Sequence, residues 1–290
     1  EVYGASISLK GNIGLNFYVF VPASLLEDPD AYVALDDNHF LLSEAPTQTI
    51  EGRTAYRFST EVPAKEMGTV VTLKVFNGQD EAVTLKLHDE DITEAGFSYS
   101  VRAYLDFTIA SESTPEKLRN LCIAMRDYGS CAQVAFSYDV ENRAEILGDL
   151  SSVTLEDLAD YAPVKNIAAN APVTYAGASV ILKSETTIRH YFRLKSGTVD
   201  DYVFTVNGEV VTPTQNGSYW VVEITNIVAK DLDEAYPVVI TRDGEEIVSI
   251  EYSALSYAYS VLNTSTDEAQ LNQVRALYLY WQAAEAYFAS

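Results

Sequence analysis

Cysteine and histidine are scarce in this chain, with two of the first and three of the second in 290 residues. Cys122 and Cys131 fall in one helical pattern, and a rise of ~1.5 Å per residue sets them ~13 Å apart, beyond the ~4.4–6.8 Å Cα span of a disulfide. Both read as small buried side chains. His39, His88 and His190 sit in no HExxH, and no two share metal-ligand spacing, which argues against a zinc site. GxSxG, GxxxxGK[ST] and GxGxxG are all missing, which removes the commonest hydrolase and nucleotide signatures. The sequence therefore implies no cofactor, no metal and no catalytic residue.

Basic residues are few as well. Lys and Arg number 19 against 42 Asp and Glu, a formal net charge of −23. Such a surface repels phosphate backbones and anionic headgroups, so nucleic acid and membrane surfaces are poor partners and acidic glycans are disfavoured. Neutral sugars are indifferent to it. No stretch approaches the ~20 apolar residues of a membrane span, so no membrane insertion is expected. The chain opens at Glu1 without a basic n-region and apolar h-region, and the expectation is that any signal peptide has already been removed.

What is present is a globular composition, 48% hydrophobic and 21% charged, at a length that suits two domains. The chain also repeats itself. GASISLK (4–10) returns as GASVILK (177–183), AYVALDDNHFLL (31–42) as DYVFTVNGEVV (201–211), and VPAKEM (62–67) as IVAKDL (227–232). Hairpin turns are expected at Asp37-Asn38 and Asn77-Gly78 in the first copy, and at Asn207-Gly208 and Asp243-Gly244 in the second. Both copies switch from period 2 to period 3.6 at YSVRAY (99–104) and YSALSY (252–257).

A short helix is expected from Val101 to Ile109 and another from Ala254 to Leu262. Each precedes a longer one. The first long helix is capped by Thr114 with Pro115 in its first turn and carries Leu118, Leu121, Cys122, Met125, Tyr128 and Ala132 on one face. The second has Ser265 and Glu268 at capping-box spacing, with Trp281 in the slot of Tyr128. The fold class is α+β: two tandem copies of a β-sandwich-like module of about six strands, each followed by a packed helical pair. The first module spans 1–138 and the second, diverged copy 175–290. Residues 139–174 form a partly ordered linker with a short helix from Thr154 to Tyr161.

Asp28 and Asp30, Asp89-Glu90-Asp91, and Asp231 with Asp233 have spacings open to calcium, yet none has the EF-hand pattern, and charged turns explain them. His190 stands in a strand where the first copy has Phe17, and reads as a hydrogen-bonded core residue. Aromatic residues are abundant: 20 Tyr, 11 Phe and 2 Trp. Most serve cores, and some can stack on the C–H faces of sugar rings while polar neighbours read the hydroxyls. Alternation turns Tyr56, Phe58 and Val62 inward, leaving Arg57, Ser59 and Glu61 outward. The matching strand, YWVVEIT (219–225), then places Trp220, Val222 and Ile224 on the face that is polar in the first copy. That face is either a seam between modules or a sugar platform. Trp220, its neighbour Tyr219, Tyr191, its counterpart Tyr18, and Tyr236 beside Pro237 are the candidate ligand-binding residues.

VPAKEM, YSVRAYLDFTIA (99–110) and LCIAMRDYGSCAQVAF (121–136) together resemble a module that recurs in secreted and cell-surface proteins of gut Clostridia and ruminococci. Its pattern has an AAKEM-like strand end, a YSVREYADYIL-like helix and a KAMLNYGAYAQ-like helix, which Tyr128, Gly129, Ala132 and Gln133 fit. The resemblance covers 4–138 well and 175–290 weakly, where Trp281 and Gln282 replace the Tyr-Gly pair. It implies an extracellular location, attached to the cell surface through a parent protein with other domains such as dockerins, carbohydrate-binding modules or wall anchors. In some such proteins it implies a part in polysaccharide capture, including starch adherence systems. These residues lie on the core stripe of a helix, so they carry fold rather than function. The leading expectation is noncatalytic binding of a neutral polysaccharide or oligosaccharide, a starch-type α-glucan first. A structural or protein-interaction spacer is the alternative, and a glycosidase the third.

Overall fold

The computed structural model describes every residue except 11, 88, 89, 92–95, 183, 184 and 290, and only the backbone of Lys10 and Asp91. His88 and Asp89, two of the residues weighed for metal binding, thus lie outside the described residues. The chain divides into two compact units, Glu1–Thr114 and Pro115–Ser290, each a mixture of strands and helices.

The first unit opens with β1 (Val2–Lys10), β2 (Asn12–Val19) and a single helical turn, α1 (Ala23–Leu26). β3 (Tyr32–Leu35), β4 (Asn38–Leu41), β5 (Thr47–Ile50), β6 (Arg53–Val62) and β7 (Val71–Phe76) follow. The short strands β8 (Ala82–Val83), β9 (Lys86–Leu87), β10 (Glu90–Asp91) and β11 (Phe97–Tyr99) then lead to α2 (Val101–Ala110). One sheet has the order β10-β9-β1-β2-β6-β5, and the other β11-β7-β3-β4 with β8 beside β7. Phe17 on β2 lies opposite Phe58 on β6, and both are buried. They meet the other sheet through Phe97, 6.1 Å from Phe17, and Phe40, 6.4 Å from Phe58. That face is the core. The opposite face carries Tyr18, Asn16, Arg57 and Ser59, as period 2 requires.

The second unit begins with α3 (Glu116–Ala135) and β12 (Val164–Ile167), followed by β13 (Val173–Ile181) and β14 (Thr187–Leu194). β15 (Val203–Val206), β16 (Glu209–Val211), β17 (Thr214–Asn216), β18 (Tyr219–Ile224), β19 (Val238–Arg242) and β20 (Glu245–Glu251) come next, then α4 (Ala254–Thr264) and α5 (Glu268–Phe288). Its sheets have the orders β12-β20-β19-β15-β16 and β13-β14-β18-β17. Phe192 and Phe204 join them at 5.9 Å, and the Tyr252 ring stands edge-on to His190 at 5.5 Å. Asn207-Gly208 and Asp243-Gly244 turn their hairpins with both residues at positive φ.

Several local details differ from the sequence reading. The hairpin between β3 and β4 turns one residue early, on Asp36-Asp37, and residues 77–81 form a loop held by Asn77 Oδ1, which accepts from the amides of Gln79 and Glu81. The N-cap of α3 is Pro115, with no side-chain cap. Asp267, not Ser265, caps α5 by accepting from the Ala269 amide at 2.9 Å, because an Asp two residues nearer the helix, directly before its first residue, reaches the open amide first. Ser265 instead accepts from Asp267 and donates to Gln270.

The largest difference concerns α3, which belongs with the second unit rather than pairing with α2. Its buried face is wide, spanning Leu121, Cys122, Met125, Tyr128, Cys131 and Ala132, and α5 covers it. Tyr128 stacks on Tyr280 at 5.5 Å. A ten-residue helix offers too little apolar surface for such a face. Residues 139–149 are also ordered along α3. Asp127 accepts from the amides of Leu147 (2.9 Å) and Gly148 (2.7 Å), and Ser130 donates to the Ala144 carbonyl. Beyond them the expected short helix is a 3-10 turn at Glu156–Tyr161, and β12 joins a sheet edge.

Candidate functional site

The sequence RHYFRL (189–194) builds β14 by simple alternation. His190 and Phe192 enter the core, and Arg189, Tyr191 and Arg193 take the other face. Tyr191 lies between Gly177 on β13 and Val221 on β18. Gly177 sits at a break in the β13–β14 register with φ +128° and has nothing within 4 Å of where a Cβ would stand, so β13 presents no side chain opposite Tyr191. The Tyr191 hydroxyl shares a hydrogen bond with Ser179 Oγ at 3.1 Å, which fixes the ring's tip.

Tyr219, on the same face of β18, stands edge-on to Tyr191 with centroids 5.9 Å apart. The Arg193 guanidinium lies 4.7 Å from the Tyr219 centroid and donates to Ser218 Oγ at 3.2 Å. Next to them Arg189 pairs with Glu223. Two half-buried rings are thus held at an angle beside a row of donors and acceptors on an outer sheet face. This arrangement can take the apolar face of a ligand ring while charged groups bind its hydroxyls.

The other candidates do not join this group. Tyr18 occupies the corresponding place in the first unit, bonded to Ser6 Oγ at 3.0 Å and opposite Gly4 and Arg57, with no second tyrosine ring against it among the described residues. Trp220 requires a correction: it lies opposite Phe192 and shares the core face with Val222 and Ile224. The pairing matches Trp220 with Tyr56 rather than with Arg57, one residue away from the parity read in the sequence, and one residue turns a strand over. Trp220 is half-buried at the edge of the core. Tyr236 is half-buried in the loop before β19. Burial, with Glu234, Asp231 and Asp233 nearby, pushes its phenol up to about 12. Arg193, Ser179 and Ser218 escaped the sequence reading, although the i, i+2, i+4 spacing of Arg189, Tyr191 and Arg193 marks one face.

His190 is fully buried among Tyr175, Phe192 and Tyr252, with Nδ1 3.2 Å from the Tyr175 hydroxyl. Nε2 has no hydrogen-bond partner among the described residues. Burial lowers its pKa to about 4, so it is a neutral core residue at physiological pH. The acidic pairs have structural work. Asp28 accepts from the amides of Gly78 (2.7 Å) and Asp30 (3.2 Å), Lys230 pairs with Asp231, and Asp233 accepts from the Trp281 indole at 2.9 Å. Among the described residues no three His, Cys, Asp or Glu side chains converge as a metal site, and no helix is long and apolar enough to cross a membrane. A scan against protein-family models finds no match. A search of curated proteins likewise finds none.

Proposed function

We propose that this chain is a noncatalytic carbohydrate-binding segment of a bacterial cell-surface protein, exported and attached through that parent protein. The ligand surface is the outer face of β14 and β18, with Tyr191 and Tyr219 as stacking residues and Arg193 as the principal donor. The observation that carries this reading is the angled tyrosine pair with Arg193 against one of its rings. The family resemblance favours a starch-type α-glucan, and the acidic surface suits a neutral glycan. Affinity per site is modest and rises with repetition.

We further read the chain as two copies of one module. Support comes from Gly4 and Gly177, both at positive φ beside a register break, and from the Ser6–Tyr18 and Ser179–Tyr191 hydrogen bonds at 3.0 and 3.1 Å. The orders β1-β2-β6-β5 and β13-β14-β18-β17 correspond strand for strand. On this reading only the second copy gained a ring beside the shared tyrosine. A spacer role is the second reading, favoured by the segment fastened along α3 through Asp127, Ser130 and Arg126, which limits flexing.

Retention on insoluble starch, with cellulose, xylan and mannan alongside, tests the proposal. Wild type should be retained on starch, and Tyr219→Ala and Tyr191→Ala should each weaken it at least ~tenfold, the loss of about 1.4 kcal/mol from an anchoring ring. Folded wild type left in the supernatant with all four polysaccharides defeats the reading in favour of the spacer. Release of reducing sugar defeats the noncatalytic assignment.

A further inference from the structure

We infer that the first unit holds a second saccharide site, in a cleft lined by Phe40, Phe58, Arg57, Ser59, Glu44 and His39, so that the chain is bivalent for glycan. The inference rests on the carbohydrate reading above and extends it to a site of different construction. The cleft has a volume of about 610 Å³, within the range of small-molecule sites. Its apolar part is the half-buried Phe40, whose ring meets the buried Phe58 at 62° with centroids 6.4 Å apart, together with the exposed Leu41. His39 closes one side, with one ring face occupied by Tyr32 at 4.7 Å.

The polar groups of the cleft have fixed and complementary roles. Ser59 Oγ donates its only proton to Asn16 Oδ1 at 2.7 Å, and the amide of Asn16, itself buried, is oriented by donating to Ser6 Oγ at 3.3 Å. Ser59 can therefore only accept from a ligand. Glu44, as a carboxylate, also only accepts, and Arg57 only donates. Neither Arg57 nor Glu44 has an ion-pair partner among the described residues, although both line the same cleft. Arg57 also lies directly opposite Tyr18, so this wall continues onto the outer sheet face.

One donor and two acceptors of set polarity, beside the apolar groups of Phe40 and Leu41 and with opposite charges balanced, suit a ligand whose groups each donate and accept. Sugar hydroxyls are such groups, and the C–H face of the ring supplies the apolar contact. A ligand with net charge of either sign would meet one of the two ions unfavourably. Two sites on one chain make the second contact with a polymer intramolecular wherever the polymer reaches both, which raises retention without new contacts.

Calorimetric titration of the intact chain with maltotriose and maltoheptaose, with cellotriose, xylotriose and mannotriose as comparison, tests this. The expected result is two sites per chain. Arg57→Ala and Glu44→Gln should each weaken one site at least ~tenfold and spare the other, while Tyr219→Ala does the converse. Either loss should cut retention on insoluble starch by about 10²-fold, the scale of lost bivalency. Arg57 and Glu44 are exposed, and unchanged circular dichroism will certify folding of the variants. One site per chain that Tyr219→Ala abolishes and Arg57→Ala leaves intact overturns this inference and keeps the proposed function. No heat with any saccharide overturns both.

Discussion

His190 makes the second unit sensitive to acid by a calculable amount. Its unfolded pKa is ~6.5, whereas burial holds the native value to about 4. Between those values the unfolded imidazole binds a proton that the native one refuses. Stability from the neutral ring is complete above pH ~6.5 and is lost as pH falls towards 4. At ~1.4 kcal/mol per pH unit the loss is roughly 3 kcal/mol. The cage explains the refusal, since an imidazolium needs acceptors at both nitrogens and only Nδ1 meets a polar atom, the Tyr175 hydroxyl. His190→Phe removes the titration while keeping an aromatic ring among aromatic rings, as Phe17 does in the first unit. Both tryptophans, Trp220 and Trp281, lie in the second unit, so urea unfolding followed by their fluorescence reports on it selectively. From pH 7.5 to pH 4, wild type should lose ~3 kcal/mol more than His190→Phe, the acidic background being common to both. Parallel curves, within ~0.5 kcal/mol, would show that the native ring accepts its proton freely and refute the argument.

Three further outcomes follow from the geometry. Gly177→Ala, at φ +128° with open space around the new Cβ, should cost ~1–2 kcal/mol through backbone strain alone, read as a lower urea midpoint for the second unit. Asp127→Ala removes the acceptor for the Leu147 and Gly148 amides, and hydrogen exchange at those two positions should quicken at least ~tenfold with the sheets unaffected. Burial, with Asp127 adding, pushes the Cys131 thiol up to about 12, so its reaction with a disulfide reagent at pH 8 should run at under about one-hundredth of the rate in urea.

The fold was legible wherever one face of an element is wet. RHYFRL alternates cleanly, and the Asn207-Gly208 and Asp243-Gly244 turns stand where their positive-φ residues require. YWVVEIT was not legible in the same way. Val221 and Val222 are both buried, so neither face of β18 announces itself, and the second copy holds one residue more between Trp220 and IVAKDL than the first holds between its counterpart Tyr56 and VPAKEM, which inverts the parity. Trp220 therefore faces inward, against the parity the sequence suggests, and Tyr219, its neighbour, is the ring beside Tyr191. Tyr18 and Tyr191 were recognisable as counterparts, but their serine partners lie on a different strand, at a pairing register that periodicity alone does not state. The cleft around Arg57 and Glu44 had no signal at all, because it forms where two strands and a connection from different parts of the sequence converge.

The pairing of Tyr128 with Tyr280 has a consequence for how such a chain can evolve. Recombination that cuts where the sequence appears to repeat, after residue 138, would carry α3 away with the first half. The remaining half would show solvent a tyrosine that is buried in the intact chain, together with the apolar side of α5 around Leu277 and Ala284. An exposed strip of that kind invites self-association. Inheritance of half the chain is thus penalised, and a cut between Thr114 and Pro115 is the one that leaves the helical pair together.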